Sequence, residues 1–203
     1  MGIKERRERE KQVTRQAILT AALEIARQEG WPALTIRKVG ERIEYSPPMV
    51  YEYFDNKEAV LLALLQDGFR QLTAAMQQSR ISTADRQQRL LDMADAYWQF
   101  AVRNPELYQL MNGQGGVPLD RSVVGQAVQE ICLVTQEALQ DWAQERGIVL
   151  KDAEGAVDIV WSLLHGLVSL HLVDRVGEGQ QKARDLMHHA IQSQLAGWQI
   201  SAS

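Results

Sequence analysis

The feature that most constrains the fold is the spacing of the apolar residues, which recur every three or four positions along almost the whole chain. This is the period of one face of an α-helix, and no stretch shows the sustained alternation of a half-buried strand. Residues that end helices separate these segments, as where Gly30 precedes Pro32 and Asn104 precedes Pro105. The pattern predicts an all-α protein in which an N-terminal three-helix unit is followed by a larger antiparallel helical bundle.

Capping signals predict where the helices begin. Thr35, Ser46 and Asp152 occupy cap positions, with Pro47 at the first helical position after Ser46. Asp55 followed by Glu58 is typical of a capping box and opens a long fourth helix, and Ser82-Thr83 introduces a fifth. The predicted helices cover about residues 13–29, 35–42, 47–54, 58 onward, 83 onward, 106–111, one ending near 146, then 152–173 and 180–198, with glycine-rich connections at 113–118 and 177–179.

Composition excludes several classes of protein. No uninterrupted apolar run reaches the ~18 residues that span a bilayer, and the N-terminus is charged rather than signal-like. The single cysteine, Cys132, excludes an internal disulfide and a cysteine-based zinc site, and it fits a reducing compartment. We therefore expect a cytoplasmic protein with no membrane contact, no metal and no cofactor.

Charge is unevenly divided along the chain. Residues 1–58 carry 11 Lys and Arg against 10 Asp and Glu, whereas residues 59–203 carry 11 against 16. This mild asymmetry permits nucleic-acid binding by the N-terminal segment but does not by itself indicate it.

Two short predicted helices joined by a tight turn, after a longer first helix, are typical of a helix-turn-helix unit. In such a unit the second helix enters the major groove of DNA while the first lies across the backbone. Here the pair is 35–42 and 47–54, joined through residues 43–46.

The order of residues through about 13–65 resembles the N-terminal signature of the TetR (tetracycline repressor) family. The similarity rests on 22–26 with Gly30, on 35–36, 39–40 and 45–46, and on the run 50–58. Two departures stand out: residues 43–45 replace the family's Ala-Gly-Val, and Val39-Gly40 replaces its Ile-Ala. Because glycine relieves a left-handed turn position, we expect Glu44 to carry backbone strain, and Gly40 to loosen the second helix slightly.

The resemblance implies DNA contacts by position. Phosphate contacts are expected from Thr35, Tyr51, Tyr53 and Lys57, the last at a helix N-terminus, which already attracts phosphate. Base edges are expected to meet Pro48, Met49 and Glu52, with Arg37 or Lys38 from the second helix; Glu52 can accept from a cytosine amine and Met49 can meet a thymine methyl. The full predicted DNA-binding set is Thr35, Arg37, Lys38, Ser46, Pro47, Pro48, Met49, Tyr51, Glu52, Tyr53 and Lys57.

The N-terminal run 4–15 alternates basic and acidic side chains. It is expected to be a solvated helix extension or a disordered arm. The alternative is an arm in which Arg6, Arg7 and Arg9 contact phosphate or the minor groove.

Beyond residue 58 the resemblance implies effector sensing and dimerisation. Small-molecule sites are apolar cavities with a few polar anchors, and the predicted lining is Tyr97, Trp98, Tyr108, Met111, Trp161 and His165, each of which also fits simple core packing. The run 161–166, with 104–108 upstream, resembles a subgroup of the family marked by a Trp-His-Gly motif. The last two long helices are expected to pair with their symmetry mates in a homodimer.

The expected function is a TetR-type transcription regulator, commonly a repressor, that binds a palindromic operator as a dimer and is released by a small, largely apolar effector. The expected division is a DNA-binding domain at 1–58 and a sensing and dimerisation domain at 59–203. One alternative is a DNA-architectural or recombination protein that has a helix-turn-helix and no sensor. An enzyme is the least favoured, because the four histidines have no metal-binding spacing and residues 113–116 lack the ending of a phosphate loop.

Overall fold

The computed structural model describes residues 2–113, 121–176 and 179–202. Within these ranges every regular element is helical, which confirms the all-α prediction. A single-turn 3₁₀ helix, Trp31–Ala33, follows the first α-helix. The α-helices are α1 (Ile3–Glu29), α2 (Ile36–Arg42), α3 (Pro47–Tyr51), α4 (Lys57–Arg80), α5 (Arg86–Arg103), α6 (Pro105–Met111), α7 (Arg121–Glu145), α8 (Ala153–Leu172) and α9 (Gln180–Ala202).

Two predicted caps are confirmed. The Thr35 hydroxyl accepts a hydrogen bond from the Lys38 backbone N–H at 3.2 Å, at the start of α2. The Asp152 carboxylate accepts from the Gly155 N–H at 2.8 Å, at the start of α8. Each side chain satisfies a backbone donor that the first turn of its helix leaves without an intrahelical partner.

Other predicted caps are wrong by one to three residues. Helix α5 is capped by Asp85, whose carboxylate accepts from the N–H groups of Gln87 and Gln88, and not by Ser82 or Thr83. At α4 the capping oxygen belongs to Asn56, which accepts from the Ala59 N–H at 2.8 Å, rather than to Asp55. Neighbouring side chains of similar chemistry compete for each cap position, so the sequence pattern alone could not select between them.

Three helices have different lengths from those predicted, among them α9, which ends at Ala202 rather than near Trp198. Helix α1 begins at Ile3 rather than near Val13, so the N-terminal run is a solvated helix extension, supported by an Arg6–Glu10 ion pair one turn apart. Helix α3 ends at Tyr51 rather than at Phe54, because the N–H groups of Tyr53 and Phe54 both turn back to the Val50 carbonyl. The connections at 114–118 and 177–178 lie outside the described residues.

The chain divides into two compact units. Unit 1 is Met1–Gly68 with Glu106–Val124, and unit 2 is Phe69–Pro105 with Gly125–Ser203, so the division falls inside α4. The predicted boundary at residue 58 separates segments by function and stays a prediction. In unit 1 the side chains of Ile18, Ile25, Val39 and Val50 are fully buried, and their burial stabilises the three-helix unit.

Unit 2 contains a half-buried charge cluster between α5 and α9. Arg184 donates to both oxygens of Asp95 at 2.6 and 2.5 Å, and His188 lies 2.8 Å from the same carboxylate, which is 13% exposed. Burial alone would raise the pKa of Asp95, but the hydrogen bonds from Arg184 and His188 outweigh it and lower the pKa. The stabilisation is therefore lost only when the pH falls through that lowered value, and it persists at neutral pH.

Helix α8 is unusually apolar for its exposure. By length and composition its 20 residues could cross a membrane, although no single uninterrupted apolar run does so, and only 28% of its most apolar window is buried. Core helices of soluble proteins pass the same test when they are mostly buried, which α8 is not. Several of its apolar side chains, among them Ile159 and Leu170, are therefore left exposed.

Candidate nucleic-acid interface

Helices α2 and α3 form the predicted helix-turn-helix unit. Val39 of α2 and Val50 of α3 are both fully buried, and Ile36 is 8% exposed, so each helix turns one apolar edge into unit 1. The opposite edge of each helix is left to solvent. This is the division of faces that a groove-reading pair requires.

The turn between the helices is closed by Gly40 and Glu44. Glu44 has a φ of 60°, so the predicted backbone strain is confirmed. The Tyr45 N–H donates to the Gly40 carbonyl at 2.9 Å, and a Cβ at Gly40 would lie 2.7 Å from the Tyr45 carbonyl oxygen. Gly40 therefore lets the turn approach α2 closely, which is a different role from the loosening expected of it.

Replacing Glu44 with glycine is expected to stabilise the protein by about 1 kcal/mol, because glycine adopts positive φ without a Cβ clash. In a thermal melt this should raise Tm by roughly 2–4 °C. Glu44→Ala is the matched control, since alanine removes the charge but keeps the Cβ, and it should leave Tm unchanged. Equal stabilisation by both variants would mean that the charge, and not the backbone, is the source of the strain.

The outward side of α3 and its C-cap carry the base-reading candidates Pro48, Met49 and Glu52 and the phosphate candidate Tyr51. Pro48, Met49, Tyr51 and Glu52 are exposed, with Met49 at 36% and Tyr51 at 52%, while Val50 between them is buried. Pro47 is half-buried. Ser46 is exposed at the cap position, but its side chain makes no capping hydrogen bond, so its predicted capping role is wrong.

The two basic candidates of α2 are held in surface ion pairs. Arg37 Nε lies 2.7 Å from Glu41, whose hydrogen bond raises the pKa of Arg37, and Lys38 Nζ lies 2.5 Å from Glu29. Exposed pairs of this kind contribute little to stability. Both side chains can therefore exchange their carboxylate for a phosphate or a base edge at small cost.

Lys57 is the first residue of α4, as the phosphate-binding prediction requires. Its ammonium donates to the Trp31 carbonyl at 3.2 Å, which fixes the side chain. An ammonium has three N–H donors, so two remain that can bind a phosphate. Tyr53 is half-buried, and Phe54, which is 5% exposed, carries the Arg15 guanidinium 5.0 Å above its ring. The segment 53–57 thus anchors the pair to the first helix.

A groove of about 770 Å³ lies between the N-terminal turns of α1 and the helix-turn-helix unit. Arg7, Arg9 and Lys11 line one wall, and Tyr45, Glu52 and Tyr53 line the other. Lys11 and Tyr45 were not among the predicted site residues. The i, i+4 spacing of Arg7 and Lys11 is the signal that identifies this face once α1 is known to begin at Ile3.

The predicted effector residues fall into both units. In unit 2, Tyr97 packs edge to face on Trp161 with ring centroids 5.4 Å apart, and Trp98 lies 4.8 Å from the His171 ring. His165 is half-buried 3.4 Å from the Ser169 hydroxyl, and burial lowers its pKa. Tyr108 and Met111 are buried in unit 1, where Met111 packs against Gly68.

The interior of unit 2 also holds a small enclosed cavity of about 20 Å³. This is room for about one water molecule. Its lining carries no charged side chain and consists of Met76, Leu90, Met93, Ala94, Thr135, Leu139, Val160, Leu164, Ile191 and Leu195. None of the six predicted effector residues is in this lining, although Trp161 donates from its indole N–H to Thr135 at 3.3 Å.

Two features of the described residues bear on catalytic and metal chemistry. No group of three His, Cys, Asp or Glu side chains there could hold a metal ion. Cys132 is half-buried, and burial, with the Asp158 charge, raises the pKa of its thiol. The reactive thiolate is therefore disfavoured at neutral pH.

Comparison with known families matches both parts of the chain. Residues 18–64 match the family "Bacterial regulatory proteins, tetR family", and residues 90–193 match "Tetracyclin repressor-like, C-terminal domain". The second match alone covers half of the chain. Assignment to the finer subgroup marked by the run 161–166 stays a prediction.

Individual relatives agree with these matches. The uncharacterized HTH-type transcriptional regulator YobS of Bacillus subtilis is 27% identical over 192 residues, covering 93% of this chain and 94% of YobS. The HTH-type transcriptional repressor NicS of Pseudomonas putida is 28% identical over 98 residues, covering 48% of this chain and 46% of NicS. A protein of unknown function from Rhodococcus sp. RHA1 shares the fold, with a TM-score of 0.80 and 23% identity over 93% of this chain and 95% of that one.

Proposed function

Because the chain belongs to the TetR family of DNA-binding transcription regulators, we propose that it represses transcription by binding a palindromic operator as a homodimer and that a small, largely apolar effector releases it. Repressors occur among its relatives, NicS being one. The observation that carries the proposal is the outward side of α3, where Met49, Tyr51 and Glu52 are exposed around the buried Val50.

The proposed DNA contacts are of two kinds: contacts to phosphates, which position the protein, and contacts to base edges, which read the sequence. Thr35, Ser46, Pro47, Tyr53 and Lys57 stand at the ends of α2, α3 and α4, where they can approach phosphates. In our proposal Pro48, Met49, Tyr51 and Glu52, with Arg37 or Lys38 of α2, face the base edges and the backbone beside them.

Dimerisation through α8 and α9 is supported by their exposed apolar side chains. Ile159, Leu170 and Val173 at α8 are 41%, 42% and 59% exposed, and Leu186 of α9 is 36% exposed. A second copy of the same helices would bury this surface without a membrane, in keeping with a regulator that meets DNA in the cytoplasm. Such a dimer must hold its two α3 helices about 34 Å apart to enter successive major grooves.

Helix α4 is the proposed transmitter of the effector signal. It begins at Lys57, beside the DNA-contacting residues, and its Met76 lines the cavity of unit 2. An effector held by unit 2 residues such as Tyr97, Trp98, Trp161 or His165 would displace α4 and spoil the spacing of the recognition helices. Tyr108 and Met111, the other two predicted effector residues, belong to unit 1. A hundredfold preference for the released state supplies about 2.7 kcal/mol.

The groove beside the N-terminal turns of α1 is proposed to seat a DNA phosphate strand. Replacing both Arg7 and Lys11 with alanine is expected to weaken operator binding about tenfold and to reduce the slope of log affinity against log salt by about 2. The matched control replaces Lys151 and Lys182, two exposed lysines of unit 2. Equal slope changes in the two double variants would show only a general charge effect.

Selection of bound DNA from a random pool tests the proposed function. The expected product is a two-fold palindrome whose half-sites lie one helical turn apart, and whose binding is weakened by at least one member of a panel of apolar compounds. Recovery of bent or sequence-independent DNA, unaffected by every compound, would instead favour the architectural alternative.

A further inference from the structure

Unit 2 buries polar atoms that have no hydrogen-bond partner. Among the described residues these are Trp98 Nε1, Thr73 Oγ1 and Trp142 Nε1, and the three residues are at most 6% exposed. An unpaired buried donor costs about 1–3 kcal/mol. Each such group needs an explanation, and one explanation is a bound molecule that forms the missing hydrogen bond.

Two of these atoms lie toward the same end of the small cavity. Helices α4 and α5 are joined by residues 81–85 alone and run antiparallel, since the Ser82 hydroxyl, just after α4, donates to Asp92 in the first half of α5. Thr73 precedes the lining residue Met76 by about one turn, and Trp98 follows the lining residue Ala94 by about one turn. Both are therefore displaced from the cavity in the same direction along the bundle.

Trp142 lies at the other end of the cavity. It follows the lining residue Leu139 on α7, and the carbonyl of the adjacent Asp141 accepts from Arg86 at the start of α5. Trp98 and Trp142 are thus two fully buried indoles with unpaired N–H groups on opposite sides of one apolar cavity.

We propose that the effector is an uncharged, largely apolar molecule with a hydrogen-bond-acceptor oxygen, seated from the cavity toward Trp98 so that the indole N–H donates to that oxygen. This rests on the proposed function and adds the chemical class of the ligand. The Thr73 hydroxyl is the second group available to the same oxygen. The apolar part of the molecule occupies and widens the space between Met76 and Met93, whose unbranched side chains repack readily.

An ionised effector does not fit this site. The cavity lining carries no charge, and the nearby Arg184 is already bound through two donors to Asp95. A carboxylate placed here would be buried without a cation, which is far more costly than burial of a ketone or ester oxygen.

The test compares three matched series of probes on the free protein by titration calorimetry. These are 2-alkanones of about six to nine carbons, the 2-methyl-1-alkenes in which a methylene replaces the carbonyl oxygen, and the carboxylates of equal length. The wild type is expected to bind ketone about tenfold more tightly than alkene, as one added hydrogen bond provides, and to bind carboxylate more weakly than ketone.

Variants assign this preference to one donor. Trp98→Phe should bind ketone and alkene equally, whereas Trp142→Phe, the same change at the opposite end, should keep the tenfold ratio. Thr73→Val should raise Tm, because it removes an unpaired buried hydroxyl. A tenfold ratio that survives in Trp98→Phe overturns the proposal, as does tighter binding of carboxylate or the failure of every ketone to bind.

Operator release completes the test. A ketone that binds through Trp98 should weaken operator binding by the wild type, and about tenfold more of it should be needed for the same effect on Trp98→Phe. Release that ignores this substitution overturns the effector assignment. The calorimetry needs no DNA, so its failure leaves the DNA-binding function standing. If the protein selects no DNA from the random pool, the proposed function is wrong, whatever the calorimetry shows.

Discussion

Replacing Met49 with glutamate is expected to weaken operator binding by at least about a hundredfold while leaving the fold intact. Met49 stands on the outward side of α3 and is 36% exposed, so the new carboxylate replaces no core contact. In the complex it would face the negative potential of the major groove and its phosphates, after losing much of its hydration. Fluorescence anisotropy with the selected operator, at fixed salt, measures the effect.

The uncharged isostere separates charge from shape in this experiment. Met49→Gln has nearly the same length and should weaken binding by less than about tenfold. Both variants lose a thymine-methyl contact, so the difference between them measures the effect of the added charge. Circular dichroism should show unchanged helix content and Tm for each. Operator binding by Met49→Glu within threefold of the wild type would remove α3 from the interface.

Replacing Leu170 with aspartate is expected to give the second large effect, the loss of the dimer. Leu170 is 42% exposed on α8, in the apolar surface that the proposed second copy covers. A buried carboxylate facing its symmetry mate should raise the dimer dissociation constant by at least about a thousandfold. Analytical ultracentrifugation at micromolar concentration should then find monomers, and binding to the palindrome should fall with them.

A matched substitution tests whether the position or the added charge is responsible. Ile81, after α4, is 80% exposed and lies outside α8 and α9, so Ile81→Asp should remain dimeric and bind the operator normally. If Leu170→Asp sediments as the wild type does, the exposed face of α8 needs another partner. In that case a bilayer would be the next partner to test, because α8 is long and apolar enough to cross one.

The sequence predicted the helix-turn-helix closely because its signals are local. Thr35 caps α2 through a donor three residues away, and the left-handed position at Glu44 was expected from the glycine that the TetR family has there. The same locality explains the errors. The capping side chains are Asn56 and Asp85 rather than the neighbouring residues that were predicted. Which of several adjacent polar residues caps a helix depends on where that helix packs against the rest of its unit.

The effector half of the site was harder to predict because it depends on contacts distant in sequence. Aromatic residues such as Tyr97 and Trp161 were recognised, but their mutual packing is set by the crossing of α5 and α8. Asp95 reads as a surface acid in the sequence, yet Arg184 and His188 of α9 surround it. The unpaired indole of Trp98 has no sequence signature, since only the folded core shows which donors lack a partner.

The early start of α1 has a consequence for conformational entropy. A disordered basic arm must give up backbone freedom, about 1–2 kcal/mol for each residue fixed, when it meets DNA. Residues 3–15 are already helical, held by pairs such as Arg6 with Glu10, so that loss has largely occurred in the free protein. On contact with DNA, mainly side chains of this segment, such as those of Arg7 and Lys11, then lose freedom. Their attraction for phosphate therefore contributes more to the affinity than it would in a disordered arm.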